Sequence, residues 1–166
     1  MMNFQVGDTV MHWNHGLGQI KGLEERIVSG ESQLYYAVQI QDINIWVPAD
    51  AMLASRLRHP TTAPAFKKLL TILSGPAETL PVDRHERKTL LRTKMASGEA
   101  VSVCHVIRDL TSFEGEKSLN DDDHSTLKRA RAMLLGEWEY TLKIPPAQAE
   151  KELQELLNKP GINTGD

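Results

Sequence analysis

The sequence has one cysteine, Cys104, so no disulfide can form within the chain, and the expected location is a reducing cytoplasm. It contains no run of about 18 apolar residues, which predicts no membrane-spanning helix and no membrane partner. Met1-Met2-Asn3-Phe4 carries neither the charged start nor the apolar stretch of a secretory signal. Excess positive charge is also missing: 19 Lys and Arg stand against 22 Asp and Glu, a net charge of −3. Any nucleic-acid contact must therefore come from a local patch and be weak in isolation. No G-x-x-x-x-G-K-[ST], G-x-S-x-G or H-E-x-x-H occurs, and Asp121-Asp122-Asp123 lacks the glycine and terminal glutamate of a calcium loop. His12, His15 and Cys104 are the candidate soft ligands, but no CxxC or second ligand pair accompanies them. These absences predict no enzyme activity, no cofactor, no metal and no small-molecule substrate.

What is present divides into two halves of different periodicity. Gly7-Asp8 reads as a tight turn, since glycine tolerates positive φ and aspartate bonds its own backbone. A strand begins at Val10, Asn14-His15-Gly16 interrupts it, and a long second strand over 17–27 carries Gly18 and Gly22, where a bend or bulge would want them. A turn at Ser29-Gly30-Glu31 leads into the β-rich run 34–40, and Gln41-Asp42 makes a short hairpin. In the next strand Ile43, Ile45 and Val47 alternate to one face and Asn44 and Trp46 to the other, until Pro48 ends it. Short, bent antiparallel strands predict a small SH3- or Tudor-like β-barrel as the N-terminal domain, residues 1–58.

Beyond His59-Pro60 the pattern is helical. Phe66, Leu69, Leu70 and Leu73 fall at i, i+3, i+4 and i+7, and the segment 59–80 is expected to be a helical linker. Asp83-x-x-Glu86 has the form of a capping box opening a helix through Leu91 and Met95. Ala100, Val103, Cys104, Ile107 and Leu110 form the next stripe. Asn120 and three aspartates start a further helix whose buried face is Leu127, Ala130, Leu134 and Trp138. Pro145-Pro146 opens a last helix. The fold class is thus α+β, with an all-α domain over 81–158 and a flexible tail at 159–166.

Both halves carry a resemblance. Phe4-x-Val6-Gly7-Asp8-x-Val10-x-His12, then His15-Gly16-x-Gly18-x-Ile20-x-Gly22 and Glu24-Glu25-Arg26, resembles the opening of bacterial CarD-type transcription regulators. Further on, Met95-Ala96-Ser97-Gly98-Glu99, Val106-Ile107-Arg108-Asp109-Leu110, Glu116-Lys117-Ser118-Leu119 and Lys128-Arg129-Ala130-Arg131 through Glu137 resemble that family's second half. The resemblance spans roughly 4–157. It implies a barrel, shared with the transcription-repair coupling factor, that binds the β subunit of RNA polymerase, and a helical domain that touches promoter DNA at the upstream edge of the bubble. It further implies that the protein modulates open-complex stability.

On that basis Arg26 sits where the family has a polymerase-contacting arginine. Trp46 is either an anchor on the same surface or a cover for the base of the linker. Arg84, Arg87, Lys88, Arg92 and Lys94 crowd one helix, and Lys128, Arg129 and Arg131 another; each cluster is either a solvated face or a DNA-backbone patch. Arg108-Asp109 reads as an ion pair, and Trp13 and Trp138 as packing residues. One departure stands out: Arg84 occupies the position where many family members place a Trp wedge, and an arginine can enter a narrow minor groove but cannot unstack bases. DNA binding is therefore expected to be weak and not sequence-specific. The alternative is a polymerase-binding adaptor whose helical domain meets another protein.

Overall fold

The computed structural model describes residues 4–159, in two compact units that divide between Pro60 and Thr61. The first holds β1 (Thr9–His12), β2 (Gly16–Val28), β3 (Glu31–Ile40), β4 (Ile43–Pro48) and β5 (Leu57–Arg58), with a short 3-10 helix at Leu53–Ser55. The strands form one antiparallel sheet in the order β4-β3-β2-β1-β5. The Gly7-Asp8 turn forms as the sequence predicts: Asp8 Oδ2 accepts the Gln5 amide at 2.8 Å, and the Gly7 amide donates to the Ile20 carbonyl at 2.8 Å. Between Ile20 and Gly22 the β2–β3 register slips, a bulge that bends the strand.

Gly18 is required for a different reason: a Cβ there would stand 2.6 Å from Ile40 Cγ1 and 2.9 Å from the Gln39 carbonyl oxygen. The two strands approach too closely for any side chain. At the far end of the hairpin, Ser29 and Gly30 both take positive φ, which turns the chain in two residues. Tyr36, Val38 and Ile40 alternate inward from β3 and meet Val10, Ile20, Val47, Leu57, Leu53 and Phe4 in one apolar core. All five strands contribute to that core or flank it, so the sheet curls around it in the Tudor-like manner.

The second unit contains α1 (Ala63–Leu73), α2 (Arg84–Ala96), α3 (Ala100–Glu114), α4 (Asp121–Leu142) and α5 (Pro146–Leu157). α3 is the central element. Val103, Cys104, Val106, Ile107 and Leu110 are all buried, and the helix packs against α1, α2 and α4. Trp138 is fully buried beside Phe66, with ring centroids 5.9 Å apart, whereas Trp13 is half-buried. The segment 59–80 is not a separate linker. Phe66, Leu69 and Leu73 of α1 lie in the same core as Trp138 and Leu153, because an amphipathic stripe of that width must be covered and α3, α4 and α5 cover it. Of the segment expected to be a tail, residues 160–166 lie outside the described residues. No described helix is long and apolar enough to cross a membrane.

Candidate functional site

On the sheet, β2, β3 and β4 bring Arg26 and Trp46 together. The register sets Gly22, Ala37 and Trp46 in one row and Glu24, Tyr35 and Pro48 in the next, all on one face. Arg26 follows on that face, two residues along β2. The small side chains at Gly22 and Ala37 leave the row beside Trp46 open, and a Cβ on Gly22 would touch nothing. Arg26 reaches back across this gap so that its guanidinium carbon lies 4.6 Å from the centre of the Trp46 ring. Its Nη2 is 3.4 Å from Glu24 Oε1. Trp46 is 42% exposed and the Arg26 side chain 47%, so a cation stacked on an indole is presented to solvent. At an exposed site such a stack contributes about 0.5–1 kcal/mol and holds both side chains in one orientation. Two residues twenty positions apart in sequence therefore form one composite surface.

The helical unit sorts the basic residues differently. Asp83 caps α2 by accepting the Glu86 amide at 3.0 Å. From there Arg84, Lys88 and Arg92 recur every four residues and form an exposed stripe along α2. Lys94 lies off that stripe, half-buried in the last turn. Arg87 does not belong to the exposed patch, and the sequence-based grouping is corrected on this point. It faces inward with Leu91 and Met95 and is only 4% exposed. Its Nε and Nη2 donate to the two carboxylate oxygens of Asp123 at 3.0 and 2.8 Å, and its Nη1 donates to the carbonyls of Pro81 and Val82, both at 3.1 Å. Its guanidinium carbon also lies 4.7 Å from the Phe113 ring centre. The hydrogen bonds and charge of Asp123 hold the Arg87 pKa above the ordinary arginine value.

Asp123 in turn closes the capping box of α4, where its amide donates to Asn120 Oδ1 and its Oδ2 accepts the Asn120 amide. Arg87 therefore staples the loop before α2, the end of α3 and the start of α4 to one another. Sequence reasoning missed Asp123 and Phe113 as its partners. The Asn120-x-x-Asp123 spacing marks a cap, but nothing in the spacing names the arginine across from it.

Beside the exposed stripe a shallow depression of about 340 Å³ is lined by Arg84, His85, Lys88, Asn120, Asp121 and Asp122. Lys88 Nζ pairs with Asp122 Oδ2 at 3.3 Å. The acidic first turn of α4 thus borders the basic stripe and lowers its positive potential. On α4, Lys128 and Arg131 are three residues apart on one side of the helix and Arg129 points to another. Arg108 pairs with its neighbour Asp109 at 2.8 Å, as expected.

The soft-ligand candidates have structural roles. His12 is buried, and its Nδ1 accepts the amides of Asn14 and His15, both at 3.1 Å, which shapes the β1–β2 turn. Burial, with the nearby His15, lowers its pKa to about 4. Cys104 is sealed in the core of α3, where burial and then the Glu137 charge push the thiol up to about 12. Among the described residues no group of three His, Cys, Asp or Glu side chains could hold a metal ion.

Two family descriptions match the chain. "CarD-like/TRCF RID domain" covers residues 4–59, and "CarD, C-terminal domain" covers residues 68–154, more than half of the sequence. The chain belongs to the CarD family. Among curated proteins, this CarD-family chain is 29% identical over 147 residues to the Bacillus subtilis (strain 168) protein named "Putative transcription factor YdeB", across 87% of the chain and 96% of that protein. The two matches fall on the sheet unit and the helical unit respectively. The chain is accordingly a CarD-like member of a family of transcription regulators with a Tudor-like sheet and a helical second half.

Proposed function

We propose that the sheet unit binds the β subunit of RNA polymerase through the Arg26–Trp46 surface. The exposed stripe Arg84, Lys88 and Arg92 then contacts promoter DNA at the upstream edge of the bubble, with Lys94, Lys128, Arg129 and Arg131 as further phosphate contacts. Differential binding to the open and closed complexes would modulate open-complex stability. The observation that carries this reading is the Arg26 guanidinium stacked on an exposed Trp46, since exposed Trp and Arg are the side chains most enriched among interface anchors. Arg84 acts by electrostatic positioning in this scheme, because a guanidinium is drawn to a narrow groove but does not part stacked bases. Arg87 is withdrawn from the DNA contacts, being buried against Asp123.

A second reading is favoured by the same inventory. With Arg87 internal and Lys88 paired to Asp122, few cations remain to neutralise phosphates, which suits a helical unit that docks on another protein. A permanganate footprint of polymerase–promoter complexes decides between the two. Protection or altered reactivity at the upstream bubble edge that is lost with Arg84→Ala/Arg92→Ala supports DNA contact. An unchanged footprint, with polymerase binding intact, supports the adaptor.

A further inference from the structure

Arg87 and Asp123 lock two helices of the helical unit in register. The paired hydrogen bonds between them, at 3.0 and 2.8 Å, set the start of α4 against the first turns of α2. The neighbours of that pair are thereby brought face to face as well. Lys88 follows Arg87 and Asp122 precedes Asp123, and Lys88 Nζ lies 3.3 Å from Asp122 Oδ2. Unlike the buried pair, these two side chains are open to solvent, 46% and 62% exposed. They share the depression with Arg84, His85, Asn120 and Asp121. Asp122 takes no part in the capping box, which Asn120 and Asp123 complete between them. Asp121 already places a second carboxylate in that first turn, where the helix dipole favours one. Neither the cap nor the dipole therefore requires a charge at 122.

We propose that Asp122 is an autoinhibitory residue, which occupies Lys88 in the free protein and competes with DNA phosphate for it. This rests on the reading of Arg84, Lys88 and Arg92 as the DNA contact. Lys88 is the middle cation of that stripe, so its neutralisation divides the positive surface where a phosphate would sit across it. An exposed ion pair adds little to stability, at most about a fivefold factor in an equilibrium constant. Set against a phosphate, the same factor becomes a loss of affinity, and the Asp122 charge repels the neighbouring phosphates as well. The free chain is thus kept off bulk DNA, which offers a vast excess of non-specific sites. Once the chain is held on polymerase, promoter DNA is present at high local concentration, and its phosphates displace Asp122 from Lys88.

The test is fluorescence anisotropy of a short fluorescein-labelled duplex titrated with the full chain. Asp122→Asn removes the charge at nearly constant size; Asp122→Ser is a second uncharged variant, and helical circular dichroism checks that both are folded. Each should tighten DNA binding about three- to tenfold at about 50 mM salt and steepen its salt dependence by about one ion, because Lys88 is freed. Glu155→Gln makes the same change in net charge on α5, outside the depression, and should alter affinity less than about twofold. In a Lys88→Ala background the gain from Asp122→Asn should fall by half or more, since the cation under competition is gone. A gain no larger than that of Glu155→Gln, or one that persists in full without Lys88, overturns the proposal. The DNA reading survives that result so long as Arg84→Ala/Arg92→Ala still weakens binding. If that double variant binds the duplex as tightly as the unaltered chain, the DNA reading itself fails and the proposal falls with it.

Discussion

Arg87→Met separates a structural arginine from a DNA-binding one. Methionine keeps much of the aliphatic length but removes four hydrogen bonds: two to Asp123 and one each to the Pro81 and Val82 carbonyls. It leaves the Asp123 carboxylate 3% exposed with its charge uncompensated, supported mainly by the Asn120 amide. Breaking one partner of a buried pair typically costs about 3–5 kcal/mol, a large share of the 5–15 kcal/mol that holds a typical domain folded. The loss should appear in urea unfolding of the full chain followed by helical circular dichroism. Arg87→Met/Asp123→Leu removes the stranded charge as well, so most of the loss should return, less about 1 kcal/mol for the hydrogen bond from the Asn120 amide to Asp123, while Asn120 itself still caps α4. By contrast Arg84→Ala, on the exposed stripe, should change stability by no more than about 0.5 kcal/mol. A phosphate contact behaves in the opposite way: its loss leaves stability intact and lowers the salt dependence of promoter binding by about one ion. If Arg87→Met costs less than about 1 kcal/mol and flattens that salt dependence, the staple argument is refuted.

Other perturbations probe the sheet unit. Trp46→Ala should weaken binding to a polymerase β-subunit fragment by about 2 kcal/mol or more, measured by calorimetry, and Arg26→Glu should do so too; undiminished binding by both removes this surface from consideration. Gly18→Ala should lower stability by about 1–3 kcal/mol, since the added methyl meets Ile40 and the Gln39 carbonyl, whereas Gly22→Ala, with open space around it, should be close to neutral in a thermal melt. His12 should titrate near pH 4 by NMR. Its unfolded form takes up a proton near pH 6.5 and its folded form resists until about 4, so the unfolded state binds more protons between these values. Stability should therefore fall as pH drops through that window, by at most about 3 kcal/mol, and His12→Asn should flatten the slope. A His12 resonance that titrates near 6.5 would contradict the buried, acceptor-only Nδ1.

Local chemistry was legible without coordinates wherever one stretch of chain decides the outcome. The Gly7-Asp8 turn, the hairpin at Gln41-Asp42, the Asp83 cap, the proline that opens α5 and the outward parity of Trp46 depend on residues a few positions apart. Backbone sterics and period-2 or period-3.6 burial act on that scale. The family resemblance likewise lay in short runs in both halves of the chain. Partner choice across the fold was a tertiary matter. Spacing alone put Arg87 with Arg84 and Lys88. Whether an arginine on α2 meets solvent or a carboxylate depends on where α4 starts, and Asp123 is 36 residues away. For the same reason α1 read as a linker: its stripe demanded a cover, but only the packing of α3, α4 and α5 supplied one. Nothing in the spacing around Glu137 names Thr61, 76 residues earlier, as a donor to its carboxylate. A buried charge is tolerated only beside a partner, and the partner's position is set by the folded chain rather than by sequence neighbours.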